Sequence, residues 1–271
     1  MDLKALLDMT PWEWPEGAGA AILGVLRDTR APQPDRIRAA ELAGDTVVIG
    51  DELVHVLLSV LRNGAEPEPL RARAAISLGP VLEQSDTDGF EDPESALITE
   101  PTFREIKETL RGLYLDTGVA KPVKRRILEA SVRAQQEWHQ PAVRAAFDGN
   151  DEEWKLTAVF CMRFVHGFDQ QILEALKSQN PAIHCSAVRA AGAWEVDAAW
   201  PHVVDLLRTA GDDKPLLLAA IEAAAAIRPQ EAPDALDKLM ESDDEEIADA
   251  VSEALEMAEL YSGELNGEDD D

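Results

Sequence analysis

Seven times along the chain an apolar residue opens a helix-forming run just after a short polar turn. These anchors are Ile37 in PDRIRAAELAG, Leu70 in PEPLRARAAISLG, Val123 in KPVKRRILEAS, Trp154 in EEWKLTAVFCM, Ile183 in NPAIHCSAVRAAG, Leu216 in DKPLLLAAIEAAA and Ile247 in DEEIADAVSEAL. Their successive spacings are 33, 53, 31, 29, 33 and 31 residues, so one interval is an outlier and the rest share a period. Before each anchor stands a partner run with its own apolar stripe, ELVHVLLSVLRN and ILEALKSQN among them, closed by Gly, Asn, Pro or Asp. A hairpin this short cannot cover its own stripe, whereas neighbouring hairpins cover one another. A fixed period therefore dictates a stacked array with one continuous core.

Four and seven residues past the anchors come Glu41, Ala74, Ile127, Ala158, Ala187, Ala220, Val251 and Gly44, Ser77, Ala130, Cys161, Ala190, Ala223, Ala254. Those offsets share one helical face, and mostly small side chains there let adjacent helices approach closely. The expected fold is all-α: an α-solenoid coiled as a right-handed superhelix of about seven hairpins.

LRARAAISLG at 70–79, with Arg71, Ala74, Leu78 and Gly79, and EEIADAVSEAL at 245–255 resemble HEAT repeats, in particular the short HEAT-like repeats of the phycobilisome lyase type. The resemblance covers about residues 16–260 and implies a fold that serves many unrelated activities. Residues 1–15 are expected to cap the first hairpin, with Trp12 or Trp14 of TPWEWPEG as a plug or as an aromatic contact for a partner. QSDTDGFEDPESALITEP, residues 84–101, is read as an acidic surface loop inserted in the long interval. It is no EF-hand: with Gly89 at the glycine position, Gln84 and Ser95 would stand where ligating oxygens are required. Residues 261–271 read as a disordered acidic tail.

With 25 Lys plus Arg against 53 Asp plus Glu, the net charge of −28 repels phosphate backbones and anionic headgroups, which argues against nucleic acid and membrane partners. MDLKALLDMTP has neither the basic start nor the apolar core of a secretory signal, and LLLAAIEAAAAI at 216–227 is too short to span a bilayer. A cytoplasmic location is expected. Cys161 and Cys185 sit in apolar helical patterns and read as reduced thiols.

Hydroxylases with this kind of repeat carry recurrent His-Glu dipeptides that ligate a di-iron centre. Here His55, His139, His166, His184 and His202 precede Val, Gln, Gly, Cys and Val. Phosphate loop, paired-cysteine zinc motif and serine elbow are also missing from the sequence. The expectation is therefore a chain that is not an enzyme and needs no cofactor or metal. It would be a non-catalytic scaffold binding a protein segment on its concave face, with a HEAT-like enzyme, an enzyme chaperone or a structural subunit as alternatives.

One constellation points to where a partner would dock. Directly after the first five anchors stand Arg38, Arg71, Lys124, Lys155 and His184, with Arg125 beside them. Cations in a first helical turn oppose the macrodipole, and Asp35, Glu68 and Glu152 lie three residues earlier to compensate in three of the repeats. The column is either a set of local bridges that fix stacking or a basic groove for an acidic peptide. Arg36, Arg73, Arg126 and Arg133 would enlarge such a groove.

Overall fold

The computed structural model describes residues 3–92, 96–211 and 213–265, the side chains of 261–265 excepted, and among them there is helix and no strand. The chain forms two compact units, one reaching to His139 and one starting at Gln140.

In the first unit the helices are α1 (Leu3–Leu7), α2 (Ala18–Arg27), α3 (Gln33–Leu42), α4 (Asp51–Arg62), α5 (Glu68–Ile76), α6 (Gly79–Asp88), α7 (Glu100–Leu115) and α8 (Lys121–Ser131). Three hairpins, α2/α3, α4/α5 and α7/α8, stack so that α3, α5 and α8 form one row and α2, α4 and α7 the other. The pairing is that of an α-solenoid built from HEAT-like hairpins. Helix α4 illustrates why the pattern folds this way. Leu53, Val54, Leu57, Leu58 and Leu61 recur at helical spacing and are buried, while Asp51 and Glu52 open the helix and Arg62 closes it, complementing its dipole. The core runs on through Ile22, Leu26, Leu70, Leu82, Ile106, Leu110, Val123 and Ile127.

The long interval holds a further helix. Residues 84–88, read from the sequence as the start of a loop, are the last turn of α6. Val81, Leu82 and Ser85 of this helix are buried, and it packs against α8 and α7. Pro80 in its first turn fits a helix start, because proline there gives up no intrahelical bond. The rest of the insertion is tied down where it is described. Phe90 tilts against Phe103 with ring centroids 5.3 Å apart, and Ile98 is buried. Thr99 donates to Asp51 through its backbone N–H at 2.9 Å and its hydroxyl at 3.0 Å.

The N-terminal segment lies on the first hairpin. Helix α1 packs against α3, Leu3 and Leu6 are buried, and Trp14 donates its indole N–H to the Leu6 carbonyl at 2.9 Å. Trp12 is 78% exposed.

The second unit contains α9 (His139–Asp148), whose first residue is the last of the first unit, then α10 (Glu152–Met162), α11 (Asp169–Ala175), α12 (Pro181–Ala193), α13 (Trp200–Thr209), α14 (Lys214–Ile227), α15 (Ala232–Leu236) and α16 (Glu245–Leu265). Three hairpins, α11/α12, α13/α14 and α15/α16, follow the same plan, and α10, α12, α14 and α16 pack in sequence. The second helices here are side-chain capped: Asp151, Asn180, Asp213 and Asp244 each accept a backbone N–H from their own first turn. The stretch from 261, expected as a tail, starts inside α16, and residues 266–271 lie outside the described residues.

Candidate interaction surface on the second helices

Backbone hydrogen bonds set the register of the seven second helices. The N–H four residues past each N-cap bonds back to the N-cap carbonyl, and it belongs to Arg36, Arg71, Lys124, Lys155, His184, Leu217 and Ala248, pairing with Pro32, Pro67, Ala120, Asp151, Asn180, Asp213 and Asp244. The basic position is thus held by Arg36 in the first repeat, where the apolar anchors suggested Arg38. The cause is Asp35, which stands where later repeats have Leu70 or Val123, so that matching on the first apolar residue slides the alignment by two. Pro34, equivalent to Pro69, Pro122 and Pro215 as the second residue of its helix, is the sequence signal that marks the true frame.

At this position the side chains turn inward in the first unit. Arg36 Nη2 donates to the Leu26 carbonyl at 3.2 Å and Arg71 Nε to the Leu61 carbonyl at 2.9 Å, in each case ten residues back near the end of the partner helix. Helix C-termini leave carbonyls without intrahelical donors, and a guanidinium satisfies them. Arg36 also holds Glu66 of the next hairpin with two bonds of 2.6 and 2.8 Å. Arg125 is buried, and Lys124 is half-buried with no ion-pair partner among the described residues. In the second unit Lys155 pairs with Glu174 at 3.2 Å and lies 4.5 Å from the centre of the Phe147 ring. His184 meets His202 with Nε2 atoms 2.7 Å apart.

Two residues further along, about 200° around the helix, the first unit carries a second row that faces outward. Arg38, Arg73 and Arg126 occupy the same position on α3, α5 and α8, with side chains 30, 39 and 46% exposed. Their carboxylate partners are Asp35 at 3.0 Å, Glu41 on the neighbouring helix at 3.4 Å, and Glu129. Arg133, just past the end of α8, pairs with Glu83 of α6. The second unit has no such row: Thr157, Ser186, Ala219 and Ala250 take the position, and a groove of about 490 Å³ between α12, α14 and α16 is lined by Arg189, Glu222, Ala223, Glu253 and Met257.

Three other groups are held by their surroundings. Buried His139 accepts the Gln136 N–H on Nδ1 at 2.9 Å, so its proton sits on Nε2, 3.1 Å from the Ser131 hydroxyl, which itself donates to the Leu128 carbonyl. Burial, helped by the charge of Lys107, pushes the imidazole down to about 4. Burial alone would raise Asp51, but hydrogen bonds from Thr99 and Thr102 and the charge of His55 outweigh it and hold the carboxyl below its ordinary value. Asp51 borders a cavity of about 410 Å³ with Phe90, Leu97, Ile98 and Thr99. The Cys185 thiol is pushed up by burial and by Asp213 and Glu222, against Arg189, which makes it a poor nucleophile. Among the described residues no group of three or more His, Cys, Asp or Glu side chains is placed to hold a metal ion, and no helix is long and apolar enough to cross a membrane.

No protein-family model matches the sequence, and no curated protein matches it. Solved structures do match. Human deoxyhypusine hydroxylase in complex with glycerol is 18% identical, over 95% of this chain and 99% of that one, with a TM-score of 0.40. Escherichia coli YibA is 14% identical over 94% and 97%, with a TM-score of 0.43. An engineered protein is 18% identical over 89% and 96%, with a TM-score of 0.35. One of these chains bears the name of an enzyme, so the expectation that the present chain is not an enzyme, drawn from missing motifs, does not stand. The helix pairing within each unit is that of stacked HEAT-like hairpins, an all-α architecture that by itself excludes neither binding nor catalysis.

Proposed function

We propose that the chain is a helical-repeat scaffold that binds an acidic segment of a partner protein along the outward face of α3, α5 and α8. The observation that carries this is the row Arg38, Arg73 and Arg126, three half-exposed guanidinium groups at one position on successive packed helices of a chain whose net charge is −28. Packed helices lie about 8–10 Å apart. An extended segment advances about 3.3 Å per residue, so carboxylates at every second or third residue match the arginines. Guanidinium groups bind carboxylates with two parallel bonds, which favours arginine over lysine for such a row.

The ion pairs of Arg38 with Asp35 and of Arg73 with Glu41 are exposed and do not block the site, whereas Arg126 stays with Glu129, whose side chain is 4% exposed, and offers a partner its remaining N–H groups. Exposed pairs contribute about 0–1 kcal/mol, so a partner carboxylate exchanges readily with Asp35 or Glu41. The distant acids do not prevent approach either. At 0.15 M ionic strength the Debye length is about 8 Å, and a segment on the row senses the arginines above the remote charge. The finer likeness of 70–79 and 245–255 to phycobilisome-lyase repeats adds no reactive group to this surface.

Affinity capture with the wild-type chain and an R38E/R73E/R126E variant, identified by mass spectrometry, tests the proposal. A folded variant that loses the acidic partners supports it, and one that keeps every partner removes the row from consideration. Metal analysis and absorption spectra of the purified protein address the alternative of a HEAT-like enzyme or enzyme chaperone, which bound metal or chromophore would favour.

A further inference from the structure

His184 and His202 come from adjacent hairpins of the second unit. His184 is in the first turn of α12, and His202 is in the first turn of α13, the opening helix of the next hairpin. Their Nε2 atoms face each other at 2.7 Å, and both residues are half-buried. A contact this short between two imidazole nitrogens requires one proton between them, carried as Nε2–H on one ring and accepted by the lone pair of the other. Two lone pairs aimed at a common point, with one proton between, are also the arrangement that a soft-to-borderline cation takes over. Two carboxylates act on the pair electrostatically: Asp213, the N-cap of α14, on His184, and Asp205 of α13 on His202.

We propose that His184 and His202 form a binding site for a divalent transition-metal ion of the zinc class, with water completing the coordination, that clasps α12 to the following hairpin. The geometry needs little change. Two imidazole nitrogens on a tetrahedral zinc ion, each bonded at about 2.05 Å, stand about 3.3 Å apart. Opening the 2.7 Å contact by about 0.6 Å is within reach of small side-chain rotations. The proton balance is simple. The ring that carries Nε2–H shifts to its Nδ1–H tautomer through solvent, both Nε2 lone pairs become available, and no net proton is released at neutral pH. Asp205 and Asp213, which act electrostatically on the two rings, offset the charge of the cation. Zinc-class ions suit neutral imidazole, whereas calcium and magnesium prefer all-oxygen shells, so the site discriminates among divalent cations. It is independent of the arginine row, which lies in the other unit.

The test is titration of the full chain with zinc chloride at pH 7.5, followed by calorimetry, by thermal unfolding, and by nitrogen-edited spectra of the imidazole groups. Wild type is expected to take up one zinc ion through His184 and His202, with the Nε2 signals of those two residues shifting and the unfolding temperature rising. His184→Gln and His202→Gln should each weaken binding at least tenfold and abolish the thermal shift, while a H55Q/H166Q variant retains both. Binding should also weaken from pH 7.5 to 5.5 as protons compete for the nitrogens. Zinc uptake that persists in both single variants, or imidazole signals of His184 and His202 that ignore zinc in the wild type, would overturn the assignment.

Discussion

Arg36 and Glu66, thirty residues apart, form a two-pronged ion pair whose side chains are only 6 and 11% exposed. It joins the second helix of one hairpin to the turn of the next, so it acts on stacking and not on either helix alone. Nε of Arg36 is buried without a partner, and the group is held wholly through its two terminal nitrogens. Removing one partner of such a pair leaves the other charge desolvated, at a cost of about 3–5 kcal/mol. Arg36→Ala and Glu66→Ala should each lower unfolding free energy by about that amount. Arg71→Ala, which loses one bond to a carbonyl, should cost about 1–2 kcal/mol. Urea denaturation of the three variants checks the ranking, and equal costs for Arg36 and Arg71 would show that Glu66 contributes nothing.

Close helix approach in the second unit is tested at Gly192. A methyl group there would sit 2.9 Å from Cα and 3.1 Å from Cβ of Ala223, where α12 meets α14. Gly192→Ala should destabilise by about 1–3 kcal/mol through overpacking. Gly24→Ala, at an open position within α2, should instead stabilise by about 0.5–1 kcal/mol through helix propensity. Opposite signs in chemical denaturation distinguish tertiary closeness from propensity, and a stabilising Gly192→Ala would refute the contact.

His139 makes stability depend on pH in a definite direction. Its folded value of about 4 lies below the ordinary 6.5, so the native chain binds fewer protons than the unfolded chain between those limits. Stability is at its full value above about pH 6.5 and is lost as pH falls toward 4, by about 3 kcal/mol for the whole interval. Comparing wild type with His139→Gln at pH 7.5, 5.5 and 4.5 isolates the effect. The difference between them should shrink or reverse on acidification, and parallel curves would mean that the imidazole is not held neutral.

Much of the fold was legible because its repeat is written in residue types. The apolar openings at Leu70, Val123, Ile183 and Leu216 and the small residues at Ala74, Ala187 and Ala220 recur with one period, and those positions are buried. The first repeat was misread by two residues, since Asp35 breaks the apolar rule while Pro34 keeps the backbone rule. Helix α6 was partly hidden by acids at 86 and 88, although Pro80, Val81 and Leu82 mark its start. Which arginines face outward was not legible at all. Arg36 and Arg38 differ by two positions and by half a turn, and only the packed partner helix decides which is covered. The contact of His184 with His202 spans 18 residues and exists only once the hairpins are stacked. Missing motifs, finally, report on known chemistries and could not establish that the chain lacks catalysis.

The measurement that most directly tests the outward arginine row is fluorescence-anisotropy titration of a labelled peptide of alternating glutamate and glycine, at 0.15 M salt, against wild type and R38Q/R73Q/R126Q. These neutral replacements avoid setting a carboxylate against Glu129, and circular dichroism with thermal melting checks that the variant is folded. Saturable binding by wild type and at least tenfold weaker binding by the folded variant is the predicted result. Equal affinity for both, or no binding by wild type while an alternating lysine peptide binds, would contradict the account.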